Sequence, residues 1–137
     1  MSQCSSAADL VTRFGKVVST DSDKDGNSHI SYEGRSVLSL EADSVSLYRV
    51  SAASGGVEYV ILEKWIPGLN CHNEYLVLSI KEDRTFKVSP SFGECMTLEG
   101  ASFAKGIASV KLRTPPSLPG KTRFETYVIE NGIARKK

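Results

Sequence analysis

Histidine, cysteine and long apolar runs are all scarce in this chain of 137 residues, and each scarcity removes a class of function. Only two histidines occur, His29 and His72. His72 directly follows Cys71, and neighbours on a strand point to opposite faces, so the two do not form a nucleophile–base pair. His29 lies in an acidic stretch where exposure to solvent is the default. G-x-S-x-G elbows, P-loops and G-x-G-x-x-G fingerprints are all missing. Carboxylates such as Glu63, Glu74, Glu94 and Glu99 stand singly rather than in pairs. These absences lead us to expect a chain that is not an enzyme and carries no cofactor.

An excess of charge of one sign is missing too. Seventeen basic residues face sixteen acidic ones, for a net charge of +1, so no overall field favours a nucleic acid or an anionic membrane. The terminal "ARKK" is the only basic cluster and reads as a frayed chain end. No apolar run approaches the roughly 20 residues that cross a bilayer, so no transmembrane segment is expected. The opening "MSQCSSAADL" has neither a charged n-region nor an apolar h-region, hence no leader as written. Two readings follow: a cytoplasmic protein, or the mature part of an exported one.

What is present is strand signal. "VEYVILEKW" (57–65) is apolar on both faces and reads as a central strand. "SVLSL" (36–40) and "SVSLYRV" (44–50) flank a short polar break in a hairpin pattern. Residues 74–81 and 85–89 flank Glu82-Asp83-Arg84 in another. "GIASVKLRT" (106–114) and residues 124–129 add two more strands, the last ending at Asn131-Gly132, a type I′ turn signal. Ala7 to Val18 carries a helical stripe of Leu10, Val11, Phe14, Val17 and Val18, weakened by Gly15 and β-branched residues. It is expected to form a short helix or turn leading into a strand. Residues 66–73 and 115–120 are read as loops stiffened by proline.

The fold class expected is all-β: an antiparallel sandwich or partly open barrel built of hairpins, with at most one short N-terminal helix. A chain of this length forms one domain. Its parts are an N-terminal segment (1–20), an acidic turn-rich loop (21–34) and a β core (36–134).

The acidic loop, "DSDKDGNSHISYEG", has the alternating aspartates of an EF-hand. Counting Asp21 as position 1 places Asp23, Asp25 and Gly26 correctly, but Tyr32 then occupies position 12, where a bidentate glutamate is needed. Glu33 arrives one place late. Starting at Asp23 instead puts Ser28 at the glycine position. The loop therefore reads as a connector rich in Asx turns; a weak calcium site through Asp21, Asp23 and Asp25 is the alternative reading, as part of an envelope structural module.

Three cysteines occur, Cys4, Cys71 and Cys95. Cys71 and Cys95 lie equally far from Asp83, at the centre of the hairpin of residues 74–89. In an antiparallel pair they would face one another at about 4.5–5.5 Å between Cα atoms, within disulfide range. Such a bond would stabilise the fold by about 3–4 kcal/mol and imply an oxidising compartment. Two buried, reduced cysteines are the alternative. A zinc site from Cys71, His72 and Cys95 lacks a fourth ligand, so no metal is expected.

Between the hairpin and Cys95 runs "SPSFGEC", residues 89–95. Proline and glycine punctuation marks a stiff surface loop with small hydroxyls and one aromatic, which loses little entropy on docking. A bulged strand end with Phe92 capping the core is the competing reading.

Taken together, "VEYVILEKW", "NCHNEYLVLSI" and "VSPSFGEC", over residues 57–96, with the later "TYVIENG", resemble a paired-cysteine pattern of small exported all-β proteins of proteobacteria. Some proteins of that kind are periplasmic immunity proteins that block a peptidoglycan-cleaving toxin delivered by type VI secretion. The resemblance implies a periplasmic location and a protein partner, a peptidoglycan hydrolase effector. It also implies that Ser89, Pro90, Ser91, Phe92, Gly93 and Glu94 form the inserted element. Ser89 and Ser91 would bond catalytic groups, and Phe92 would anchor the contact.

Overall fold

The computed structural model describes residues 7–50, 55–66, 73–114 and 123–137. Their regular structure is entirely β, in three antiparallel sheets of four strands, none closed into a barrel. The first sheet holds β1 (Ala7–Thr12), β2 (Gly15–Thr20), β3 (Asn27–Tyr32) and β4 (Arg35–Glu41) in sequence order. The second holds β5 (Ser44–Arg49), β6 (Val57–Trp65), β7 (Asn73–Lys81) and β8 (Phe86–Val88). The third holds β9 (Thr97–Ala104), β10 (Ile107–Arg113), β11 (Phe124–Glu130) and β12 (Ile133–Lys136). Each sheet is thus a meander of consecutive strands, the arrangement that short turns allow.

The second sheet lies in the middle of a three-layer stack, and the alternation of its strands explains why. In β6 and β7, Tyr59, Ile61, Tyr75 and Val77 face the third sheet, where Ala108, Val110, Leu112 and Ile129 receive them. Val60, Leu62, Leu76, Leu78 and Ile80 face the first sheet and pack on Val17, Ile30 and Tyr32. A strand with apolar residues on both faces can be buried only between two layers. Each such side chain, fully buried, contributes about 1.5–3 kcal/mol.

Two carboxylates lie inside this stack, Glu58 and Glu63, and the first joins two sheets. Glu58 on β6 has no exposed surface. Its Oε1 accepts from the Arg13 amide at 3.1 Å and from Arg49 Nε at 3.0 Å, and its Oε2 accepts from Arg13 Nε at 2.9 Å. Arg13 comes from the β1–β2 turn, so this cluster ties the first sheet to the second.

Several expectations are corrected. Residues 7–18 form no helix: they are the hairpin β1–β2, with Leu10 opposite Val17. The helical stripe arises because the turn at Arg13-Phe14 interrupts two alternating patterns, and Gly15 takes a φ of 141° that suits glycine. Residues 36–40 and 44–50 are not a hairpin: β4 pairs with β3 and β5 with β6. The break between them is a corner between layers, where Asp43 N donates to Trp65 O at 2.7 Å. The connector at 21–34 is a loop only to Gly26; β3 follows, with Ile30 and Tyr32 wholly buried. Strand β9 had no counterpart in the sequence reading. The central strand, the hairpin of β7 and β8, and the strands β10 and β11 form as expected. At Asn131-Gly132 both φ angles are positive, 52° and 78°, as a type I′ turn requires. Of the segments read as loops, 66–73 and 115–120, only Ile66 and Asn73 are described, and Asn73 already belongs to β7; Cys4, Cys71 and His72 lie outside the described residues.

Candidate functional site

Residues 89–96 carry the chain from β8, at the edge of the middle sheet, to β9 in the third. After Val88 the pairing with β7 continues intermittently, because Pro90 has no N–H to give. Ser89 N donates to Val77 O at 2.9 Å, while Ser89 Oγ accepts from Val77 N at 2.9 Å. Phe92 and Tyr75 exchange backbone bonds of 2.8 and 2.9 Å, and Cys95 N donates to Asn73 O at 3.0 Å. The segment is therefore an interrupted edge strand, held at three points.

Its side chains divide by direction. Ser89 and Gly93 are buried, and the Phe92 ring sits half-buried, 4.7 Å from that of Tyr127 and 6.1 Å from that of Tyr75. Gly93 has a φ of 67°, and a Cβ there would lie 2.2 Å from Leu112 Cδ1. Pro90, Ser91 and Glu94 remain exposed. Of the six residues singled out in this segment, three thus serve its anchoring and three are free to meet a partner. Cys95 takes a φ of 67° and is disulfide-bonded.

Behind the segment lies a buried polar cluster that the sequence reading missed. Glu63 Oε2 accepts from Asn73 Nδ2 at 2.7 Å and from Tyr75 Oη at 3.0 Å, and its Oε1 accepts from Tyr48 Oη at 2.9 Å. Asn73 Nδ2 and Tyr75 Oη each lie 2.8 Å from the carbonyl of Met96, which fixes where the segment enters the third sheet. Burial, then the neighbouring Glu63 carboxylate, pushes the Tyr75 hydroxyl well above its ordinary range. Tyr48 is raised by the same two causes. Such a network, with every member partnered, fixes geometry. The signal for it was Glu63 inside a mostly apolar strand; Asn73, read as the end of a loop, gave none.

Trp65 pairs across the ladder with Asn73, whose carbonyl holds Cys95. The exposed face of Trp65, 39% accessible, therefore shares this end of the middle sheet with the segment, while Tyr48, 38% accessible, lies on the far edge strand β5 opposite Ile61. Aromatic side chains half-exposed beside a rigid backbone are what protein interfaces favour.

The acidic loop is organised around Asp23. Its Oδ1 accepts from the amides of Asp25 and Asn27 at 2.8 and 3.1 Å, and its Oδ2 meets His29 Nε2 at 2.8 Å. The His29 contact, then the two amides, holds the Asp23 carboxyl below its usual range. Both oxygens are thus engaged within the turn. Among the described residues no group of three or more His, Cys, Asp and Glu is placed to hold a metal ion. No helix there is long and apolar enough to cross a membrane.

Comparison with protein-family models, with curated proteins and with solved structures returned no match to this chain.

Proposed function

We propose that this chain is a non-catalytic binding protein of the periplasm. In this reading it is an immunity or inhibitor protein that occludes the active site of a cell-wall-degrading toxin of the type VI secretion kind. The observation that carries it is the anchored segment 89–95. Its backbone is bonded to β7 at three points, and it presents Pro90, Ser91 and Glu94 to solvent. A preorganised projection of this kind docks with little loss of conformational freedom. Trp65 extends the surface and supplies a large amphipathic contact of the kind that dominates binding energy. Pairing of Cys95 with Cys71 belongs to this reading and fits an oxidising compartment.

The experiment is inhibition of peptidoglycan hydrolysis by a purified type VI peptidoglycan-cleaving effector, with the chain added in increasing amounts. Only the outward residues are altered, as Ser91→Arg with Glu94→Arg, because Ser89, Phe92 and Gly93 hold the fold. Inhibition should fall at least about tenfold, a change of about 1.4 kcal/mol, with the melting temperature unchanged. Full inhibition by the altered chain would remove the segment from the contact. A free-thiol count with peptide mapping on unreduced protein tests the compartment separately: three free thiols would refute it.

A further inference from the structure

The far end of the middle sheet, where Val57 pairs with Lys81, carries a cleft unrelated to the segment above. It has a volume of about 270 Å³, just below the range of sites that enclose drug-sized ligands. Its floor is the face of β6, β7 and β8 turned to the third sheet, with Val57, Tyr59, Ser79 and Lys87; the Asn131-Gly132 turn overhangs it. Gly132 permits the approach: a Cβ there would meet the Lys87 side chain at 3.0 Å.

Two properties of the lining point to a ligand. The first is charge. Lys81 and Lys87 both line the cleft, and among the described residues no carboxylate does. Asp83, beside it, turns its Oδ1 to the amide and hydroxyl of Thr85 at 3.0 and 2.6 Å. The second is Ser79, which is 9% exposed and whose Oγ is buried without a hydrogen-bond partner. An unpartnered buried hydroxyl is costly. Rotation about χ1 breaks no bond, so this hydroxyl is free to serve a group placed in the cleft. Val57 and the Tyr59 ring supply an apolar wall, the latter backed by Phe103 at 6.2 Å between centroids.

We infer that this cleft binds a small organic anion, its carboxylate or phosphate head between Lys81, Lys87 and the Ser79 hydroxyl and its apolar body against Val57 and Tyr59. The site is independent of the inhibitor reading and lies at the opposite end of the same strands.

The test is an amide-resolved NMR titration with sodium benzoate and phenyl phosphate, with benzyl alcohol as the neutral control and sodium chloride as the salt control. Both anions should give saturable shifts confined to residues 57–59, 79–87 and 131–132. The alcohol should bind at least about tenfold more weakly. Lys81→Ala with Lys87→Ala, both exposed, should erase the preference for the anion and leave the alcohol unaffected. Ser79→Ala should weaken the anions without lowering the melting temperature, since its hydroxyl holds no internal bond. Equal binding of the alcohol and benzoate would overturn the inference, as would shifts reproduced by chloride or undiminished binding by the double-lysine variant. Saturation by both aryl anions supports an anion site of either head group; saturation by one alone identifies the head.

Discussion

Glu58 shows how a single side chain can join two sheets. Burial pushes its pKa up, but the hydrogen bonds from Arg13 and Arg49 outweigh burial and hold it below the ordinary carboxylate value. A carboxyl whose pKa is depressed by folding stabilises the native state above its unfolded pKa. That contribution is lost as pH falls through the folded value. The chain should therefore lose stability progressively below about pH 4.5, Glu58 among the causes. Glu58→Gln should cost about 2 kcal/mol at neutral pH through the lost charged hydrogen bonds. It should also flatten the acid limb of a urea-midpoint profile. An acid limb unchanged by the substitution would mean that Asp23, Glu33, Asp83 and Glu125, whose pKa values are lowered too, account for it without Glu58.

Among the elements, the crossing at residues 89–96 is the one most exposed to single changes. Gly93→Ala would place a methyl group against Leu112 and Tyr75 and force a non-glycine residue to a positive φ. A loss of about 3 kcal/mol is expected from strain and overpacking together. Thermal unfolding measures it, and a shift within error would show that the crossing can move away from the third sheet. The crossing also shows what was legible beforehand. Pro90 and Gly93 marked it as punctuated and stiff, and Cys95 as tied. The inward turn of Phe92, onto Tyr75 and Tyr127, matches the competing reading of a bulged strand end; that of Ser89 was not legible, because it depends on Val77, twelve residues earlier on β7. The same limit explains the hairpin β1–β2. Leu10, Val11, Phe14, Val17 and Val18 satisfy a helical stripe, but the hairpin turns only Leu10, Phe14 and Val17 to the core and leaves Val11 exposed, a choice that packing on the middle sheet decides. Strand β9 escaped notice because Gly100 and small residues dilute its pattern. By contrast β6 was legible outright, since nine residues with apolar character on both faces fit no other place.

For the whole molecule, two cores share one sheet. Strands β6 and β7 are bonded on both sides and covered on both faces, so their amides open only when the entire stack does. Native-state hydrogen exchange should be slowest at residues 59–62 and 75–78, at the rate set by global unfolding. Strands β4 and β12, at the outer edges, should exchange faster. Equal rates in β7 and β12 would mean that the third sheet does not detach separately. The sequence foretold an antiparallel sandwich but not its third layer, because the number of layers depends on what covers the second face of β6.

The order of the sheets along the chain also sets an order in time. Whether the chain emerges from a ribosome or from a translocation channel, the first two sheets emerge before the third, which spans β9 to β12. Until the third emerges, the face that carries Tyr59, Ile61, Tyr75 and Val77 has nothing to cover it. A newly made chain is then most open to association with its neighbours, and a chaperone that shields one flat apolar sheet would protect it.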